Sequence, residues 1–228
     1  MQEQPRAPLR LYSTLAVMGL LQEMLPGLEA ALGRPVAAAF APTAALLRRI
    51  EAGEAADLAI LTAEAVEALA AEGRLLPGSR RDLCISLIGV AVRAGAPRPD
   101  IATPEACRAA LLGAGSIAYS RAGASGIFFA GLIERLGIAE AVNAKATVIP
   151  QGLTAELAAR GEAEIAIQQV SELMAVPGVD IVGPLPEALN TRAVFSAGLF
   201  TAEAGSLLEA IVRAMTPDRL RAKGLLPA

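Results

Sequence analysis

The 228 residues carry 20 Lys and Arg against 23 Asp and Glu, with 54% apolar and only 3% aromatic side chains. A chain this long buries about 70% or more of its unfolded surface, so it needs no disulfide or metal to fold. With no basic cluster and few aromatic rings on which bases could stack, the composition argues against nucleic-acid binding.

Short apolar runs alternate with Ala-rich amphipathic stretches along the whole chain. "LRLYS" precedes a helix at 15–32, "PVAAAF" one at 43–52, and "DLAIL" one at 63–73. "LCISLIGVAV" is a long strand-like run after the turn "LPGSR" and leads to a helix at 104–113. "SIAYS", "KATVI" and "AEIAIQQ" precede helices at 125–137, 152–161 and 170–175. "VDIVG", the long run "RAVFSAGLF" and a helix at 202–215 complete the series. Strands alternating with helices of 10–15 residues argue for an α/β fold with mainly parallel sheets flanked by helices. The two long runs break the alternation, as strands leaving and re-entering a lobe would. The expected organisation is two lobes joined by two crossover strands: 1–87 with 194–228, and an inserted 88–193, with a ligand cleft between them.

The mean hydropathy of +0.49 is high for a soluble chain. Yet the longest run without a charge, "PVAAAFAPTAALL", is short and holds two prolines, whereas a spanning helix wants about 20 apolar residues. No membrane insertion is expected. The opening "MQEQPRAPLR" has neither an apolar h-region nor a small-residue cleavage site. The expectation is a periplasmic protein if a signal was removed, and a cytoplasmic one otherwise. Cys84 and Cys107 have no metal-ligand spacing and read as buried small hydrophobes. The absence of histidine removes Ser-His-Asp and Cys-His nucleophile systems, most zinc sites and the usual acid–base side chain. No metal or cofactor is expected, and any chemistry must use carboxylates, Arg, Lys, Tyr, hydroxyls or backbone N–H groups.

The strand-to-helix junctions collect small polar residues. They hold Ser13 and Thr14, then Thr43, then Thr62. Later junctions hold Ser120, Arg121, Ala124, Ser125 and Gly126 in "SRAGASGIFF", and Gln168, Gln169 and Ser171 in "QQVSEL". In open α/β sheets ligands bind beyond the carboxyl ends of strands, where helix N-termini offer unpaired N–H groups to anions. Ser and Thr are also preferred N-caps, and "GASG" also reads as a plain flexible turn. Ser13 and Thr14 are therefore expected to cap their helix when empty and to donate to an anion when it binds. One of Arg48 and Arg49 is a candidate to face the ligand.

The order of these motifs resembles type II periplasmic binding proteins, in the molybdate-binding-like branch of extracellular solute-binding proteins. "YSTLAVMGLLQEMLPGLEAALGRPV" is similar to that family's opening segment, with Ser13 and Thr14 on its pair of serines. "PTAALLRRIEAGEAADLAIL" is similar to its next segment, with Thr43 on the second binding serine. Gln169 stands where the oxyanion binders usually carry a Tyr, and Arg121 suits a planar carboxylate better than a tetrahedral oxyanion. The set "STLA…PTA…LTAE…AYS…GASGI…QQVSEL" also resembles the aconitate isomerase-like members of the superfamily.

The resemblance implies a small anionic ligand, a tricarboxylate or an oxyanion, held by hydroxyls and helix N-terminal N–H groups. If the protein is exported, it implies an ABC transporter permease as partner. The alternative is a cofactor-independent isomerase shifting an allylic proton, trans-aconitate to cis-aconitate, with Glu64, Glu172 or Tyr119 as the base. A regulatory ligand-sensing domain ranks last, because no DNA-binding segment is attached.

Overall fold

A computed structural model describes residues 6–228. Residues 1–5, which open the expected first lobe and the "MQEQP" start, lie outside the described residues. The chain divides into two compact units, residues 6–85 with 193–228 and residues 86–192.

The first unit contains β1 (Leu9–Ser13), α1 (Met18–Leu32), β2 (Val36–Phe40), α2 (Thr43–Glu51), β3 (Leu58–Thr62) and α3 (Ala63–Ala71). β4 (Arg81–Arg93) begins in it and crosses into the second unit. The chain returns through β9 (Arg192–Leu199) and ends with α9 (Gly205–Ala214), α10 (Pro217–Ala222) and β10 (Leu225–Pro227). The strand order is β2-β1-β3-β9-β4, with β10 also on β4. β2, β1 and β3 run parallel and β9 runs against β3. Side chains alternate across the sheet. Leu9, Leu11, Leu58 and Ile60 pack with α1 and α9 on one face, while Tyr12, Ala59 and Leu61 pack with α2 and α3 on the other.

The second unit contains α4 (Pro104–Gly113), β5 (Ile117–Ser120), α5 (Ala124–Arg135), α6 (Ala139–Asn143) and β6 (Ala146–Ile149). It continues through α7 (Ala155–Ala159), β7 (Ile165–Gln169), α8 (Val170–Leu173) and β8 (Val179–Pro184). β6, β5 and β7 are parallel, and β4 runs against both β7 and β8. Ile117, Tyr119, Ile165 and Ile167 pack with α4, α5 and α6, whereas Ala91 and Ala166 meet α7 and α8. Small residues on that second face let the short helices sit close. Gly89 is the tightest case: a Cβ there would stand 2.6 Å from Val170 Cγ2 and 2.9 Å from the Gly183 carbonyl oxygen. A side chain on this central strand would therefore push α8 away.

All nine expected strands are present, and the parallel character holds for three strands in each unit. The antiparallel β4, β8 and β9 make both sheets mixed, and α6, α10 and β10 had no counterpart among the expected elements. Charge-free runs alone do not single out one apolar segment. Residues 15–32, a 3-10 turn followed by α1, reach a mean hydropathy of 1.3 over 18 residues, long and apolar enough to cross a membrane. In the fold the helix carries Glu23 and Glu29 and sends Leu20, Leu21, Met24, Leu25 and Leu28 into the first unit's core.

Candidate functional site

In each unit the parallel strands end at one edge. Ser13 of β1 lies level with Phe40 of β2 and Ile60 of β3, so Ser13, Thr14, Thr43 and Thr62 share the carboxyl edge of the first sheet. Ile117 of β5 lies level with Ile165 of β7, and Ser120 level with Ile149 of β6. Ser120, the α5 start and the Gln168–Glu172 segment therefore share the carboxyl edge of the second sheet.

The hydroxyls of the first edge do not cap helices. Thr14 precedes the 3-10 turn and Thr62 sits at the N-cap of α3, yet neither side chain accepts a cap bond. Ser13 is buried and donates its hydroxyl to the Thr14 carbonyl, and the Thr14 amide donates to Ile60. Pro42 occupies the N-cap of α2, so Thr43 is the first helical residue, and its buried Oγ1 has no hydrogen-bond partner. The expected resting role of Ser13 and Thr14 as caps is thus corrected. Side-chain caps occur at Thr103 and Thr216, each followed by a proline at the first helical position.

The second edge is more varied. Ser120 Oγ is buried without a partner. Gly123 and Gly126 crowd it: a Cβ at Gly126 would run into the Ser120 carbonyl oxygen, and one at Gly123 would stand 2.9 Å from Ser120 Oγ. The "GASG" turn is a close approach of α5 to the end of β5, not a flexible connection. Because the Gly126 amide already donates to Gly123, the residue shapes the edge and is no donor. Ala124 and Ser125 open α5, where backbone N–H groups lack intrahelical acceptors. The Arg121 amide continues the ladder to Ile149 while its side chain is exposed.

Gln168 and Gln169 diverge. Gln168 accepts from both the amide and the hydroxyl of Thr154 and donates to the Gly152 carbonyl, which ties β7 to the start of α7. Gln169 is 2% exposed, and neither atom of its carboxamide has a partner. Ser171 lies 3.4 Å from Ser86, hydroxyl to hydroxyl. Glu172 is 7% exposed, and burial pushes its carboxyl up to about 7, opposed by hydrogen bonds from the Gln169 backbone and the Gln168 side chain.

The other base candidates sit differently. Glu64 is exposed on α3. Tyr119 turns into the core, edge-on to Phe129, and donates its hydroxyl to Asn143 at 2.7 Å. Arg49 lies over the Tyr12 ring and pairs with Glu54, while Arg48 is exposed. Cys84 and Cys107 are buried, and burial raises their thiols to about 12 and about 11. Among the described residues no group of three or more Cys, Asp or Glu could hold a metal ion.

Sequence reasoning missed Thr154, Ser86, Gly89 and Asn190. Thr154 stands at the same kind of junction in "GLTAEL", and a glycine inside "LIGVAV" signals close backbone approach. Asn190 gives and accepts bonds with the Ile88 main chain and also donates to the Leu185 carbonyl, acting as a peptide unit ahead of β9.

A family model for bacterial extracellular solute-binding proteins matches residues 9–214. The chain belongs to that family. This solute-binding chain is also 37% identical over 202 residues to an aconitate isomerase from a Pseudomonas species, covering 86% of this chain and 77% of that protein. Its fold is similar to the periplasmic molybdate-binding protein of Azotobacter vinelandii, with a TM-score of 0.77 and 19% identity over 96% of this chain and 99% of the other. The tungstate-binding protein TupA of Desulfovibrio alaskensis G20 gives 0.60 at 17% identity, over 98% and 99%. At such identities the solved structures establish the α/β periplasmic-binding-protein-like fold.

Proposed function

We propose that this solute-binding protein takes a small polycarboxylate anion, using Ser13, Thr14, Thr43 and Thr62 in one unit and Ser120, Arg121, Ala124, Ser125 and Gln169 in the other. The observation that supports the reading is the set of buried polar atoms without protein partners: Thr43 Oγ1, Ser120 Oγ, and both polar atoms of Gln169. An unsatisfied buried polar group costs about 1–3 kcal/mol. Such atoms at the carboxyl edge of each sheet carry a standing cost that an anion bound at that edge would relieve. Arg121 favours a carboxylate over a tetrahedral oxyanion, because a guanidinium pairs with a planar carboxylate in two-point fashion, and Gln169 adds the N–H donors of its carboxamide. Titration calorimetry with trans-aconitate, citrate, molybdate, tungstate and sulfate tests this. Binding of a tricarboxylate with no heat from the three oxyanions is the expected result, and the reverse order sinks the carboxylate reading.

A second reading is an aconitate isomerase-like activity, favoured by the 37% identical relative and by a buried carboxyl, Glu172, three residues from Gln169. Under the pure binding reading the protein works outside the cytoplasm and delivers its ligand to an ABC permease. Under the isomerase reading it needs no partner. Proton NMR of trans-aconitate with the protein in deuterated buffer separates the two, through appearance of cis-aconitate signals or their absence.

A further inference from the structure

We propose that the second unit carries a further ligand site, in the hollow between β4 and the segment leading into β9, for a small zwitterion with an apolar body: an apolar amino acid or a short apolar peptide. The hollow has a volume of about 480 Å³, within the ~300–1,000 Å³ range of small-molecule sites. Every residue around it belongs to the second unit. Leu87 of β4, Pro184 of β8 and Leu185 give it apolar walls, while Glu187 and Arg192 bring a carboxylate and a guanidinium. Leu185 is buried, and both charged residues are exposed. Although they share the hollow, the two charges stay apart: neither comes within 4.0 Å of an opposite charge among the described residues.

Opposite charges that flank an apolar hollow without neutralising one another match a ligand carrying both signs. Its ammonium group would face Glu187, and its carboxylate would pair with the Arg192 guanidinium in two-point fashion. Its apolar body would cover Leu87 and Leu185. A purely apolar ligand would leave both charges unanswered, and a polycarboxylate would set negative charge against Glu187. The walls are fixed by backbone pairing. Asn190 accepts from the amides of Ile88 and Thr191 and donates to the carbonyls of Ile88 and Leu185. The Leu185 amide also donates to the Ile88 carbonyl. The polar atoms of the Asn190 side chain are therefore spent on the frame, which leaves Glu187 and Arg192 to read the ligand's charges. Strand β4 separates this hollow from the edge proposed for the anion. Ile88 directs its amide and carbonyl to Asn190 and Leu185, and lies level with Gln169 of β7 on its other side. None of the residues assigned to the anion lines the hollow.

Titration calorimetry of the full chain with L-leucine and with leucyl-leucine tests the site, with L-leucinamide and 4-methylpentanoate as controls that each lack one charge. The expected result is binding of at least one zwitterion to the wild type, with both controls weaker. The tighter of the two zwitterions distinguishes an amino-acid site from a peptide site. Glu187→Gln and Arg192→Gln should each weaken that zwitterion by about fivefold, the upper end for a solvent-facing ion pair, and should leave trans-aconitate binding unchanged. Both positions are exposed, so these variants should melt with the wild type. Absence of heat and of saturation-transfer NMR signals from both zwitterions at millimolar concentration overturns the proposal. So does zwitterion binding that both variants retain in full. Zwitterion binding displaced by trans-aconitate and weakened in Ser120→Ala overturns it as well, by placing the amino acid at the carboxyl edge. Failure of trans-aconitate to bind counts against the polycarboxylate reading alone.

Discussion

The two units present the same architectural edge with different chemistry. At the carboxyl edge of the first sheet stand Ser13, Thr14, Thr43 and Thr62, hydroxyls that do not titrate in the working range of a protein. At the corresponding edge of the second stand an unpartnered carboxamide, an unpartnered hydroxyl and a buried carboxyl. Both edges offer hydrogen-bond donors, and the second adds a buried carboxyl that the first lacks. Since the fold by itself assigns no function, the contrast between the two edges is where experiments discriminate best.

The largest expected effect comes from Gly126→Ala. Its Cβ would meet the Ser120 main chain rather than the end of a flexible side chain. Ligand binding should be lost and the melting temperature should fall by more than the ~1–3 kcal/mol of an ordinary overpacked site implies. Calorimetry and thermal melts check both, and retained binding would show that the second edge tolerates rebuilding.

Next comes the ionisation of Glu172. Its folded-state value, about 7, lies above that of an unfolded glutamate, so the folded protein favours the neutral acid. Stability from this group is complete below about pH 4.5 and is lost as pH rises through 7. Glu172→Gln should therefore melt like the wild type at pH 4.5 and be more stable by about 3 kcal/mol at pH 8.5. Parallel melting curves at both pH values would return Glu172 to an ordinary, solvated acid.

Gly89→Ala should cost ~1–3 kcal/mol, because Val170 and the Gly183 carbonyl leave no room for the methyl group. It should also weaken binding by displacing α8 and with it Gln169. The smallest effects sharpen the contrast between holding and capping hydroxyls. Thr43→Val and Ser120→Ala should lower ligand affinity by about tenfold, the worth of one hydrogen bond at ~1.4 kcal/mol, and leave the melting temperature unchanged or raised. Thr103→Ala and Thr216→Ala should do the opposite, costing ~1 kcal/mol of stability with affinity unaltered. If all four behave alike, the distinction between the two kinds of threonine collapses.

Much of this was legible in the chain itself. Period and punctuation located every long strand, and the junction positions gathered the residues that the parallel registers bring to each edge. What the sequence could not supply was occupancy of individual hydrogen bonds. "YST" and "IATPEA" both read as helix starts, yet only Thr103 of the second accepts from the backbone. Nor could spacing separate Gln168 from Gln169. Adjacent residues on a strand face opposite sides, and the Thr154 partner that satisfies the first comes from another strand's helix. The fate of Tyr119 likewise turned on one long-range acceptor, Asn143. The short α6 and α10 escaped notice because one or two turns leave too little periodicity to register.

The crossing of the chain at β4 and its return at β9 also sets an order of completion during synthesis. Every residue of the second unit has been joined to the chain once Arg192 is added, whereas the first unit, begun earlier, still waits for β9, α9, α10 and β10. Domains generally fold as units while they emerge, so the inserted unit can close around its Ile and Phe core while the residues that precede it remain unsealed. The chain has no Trp and only two Tyr, Tyr12 in the first unit and Tyr119 in the second. Tyrosine emission from single Tyr→Phe variants thus carries a separate clock for each unit.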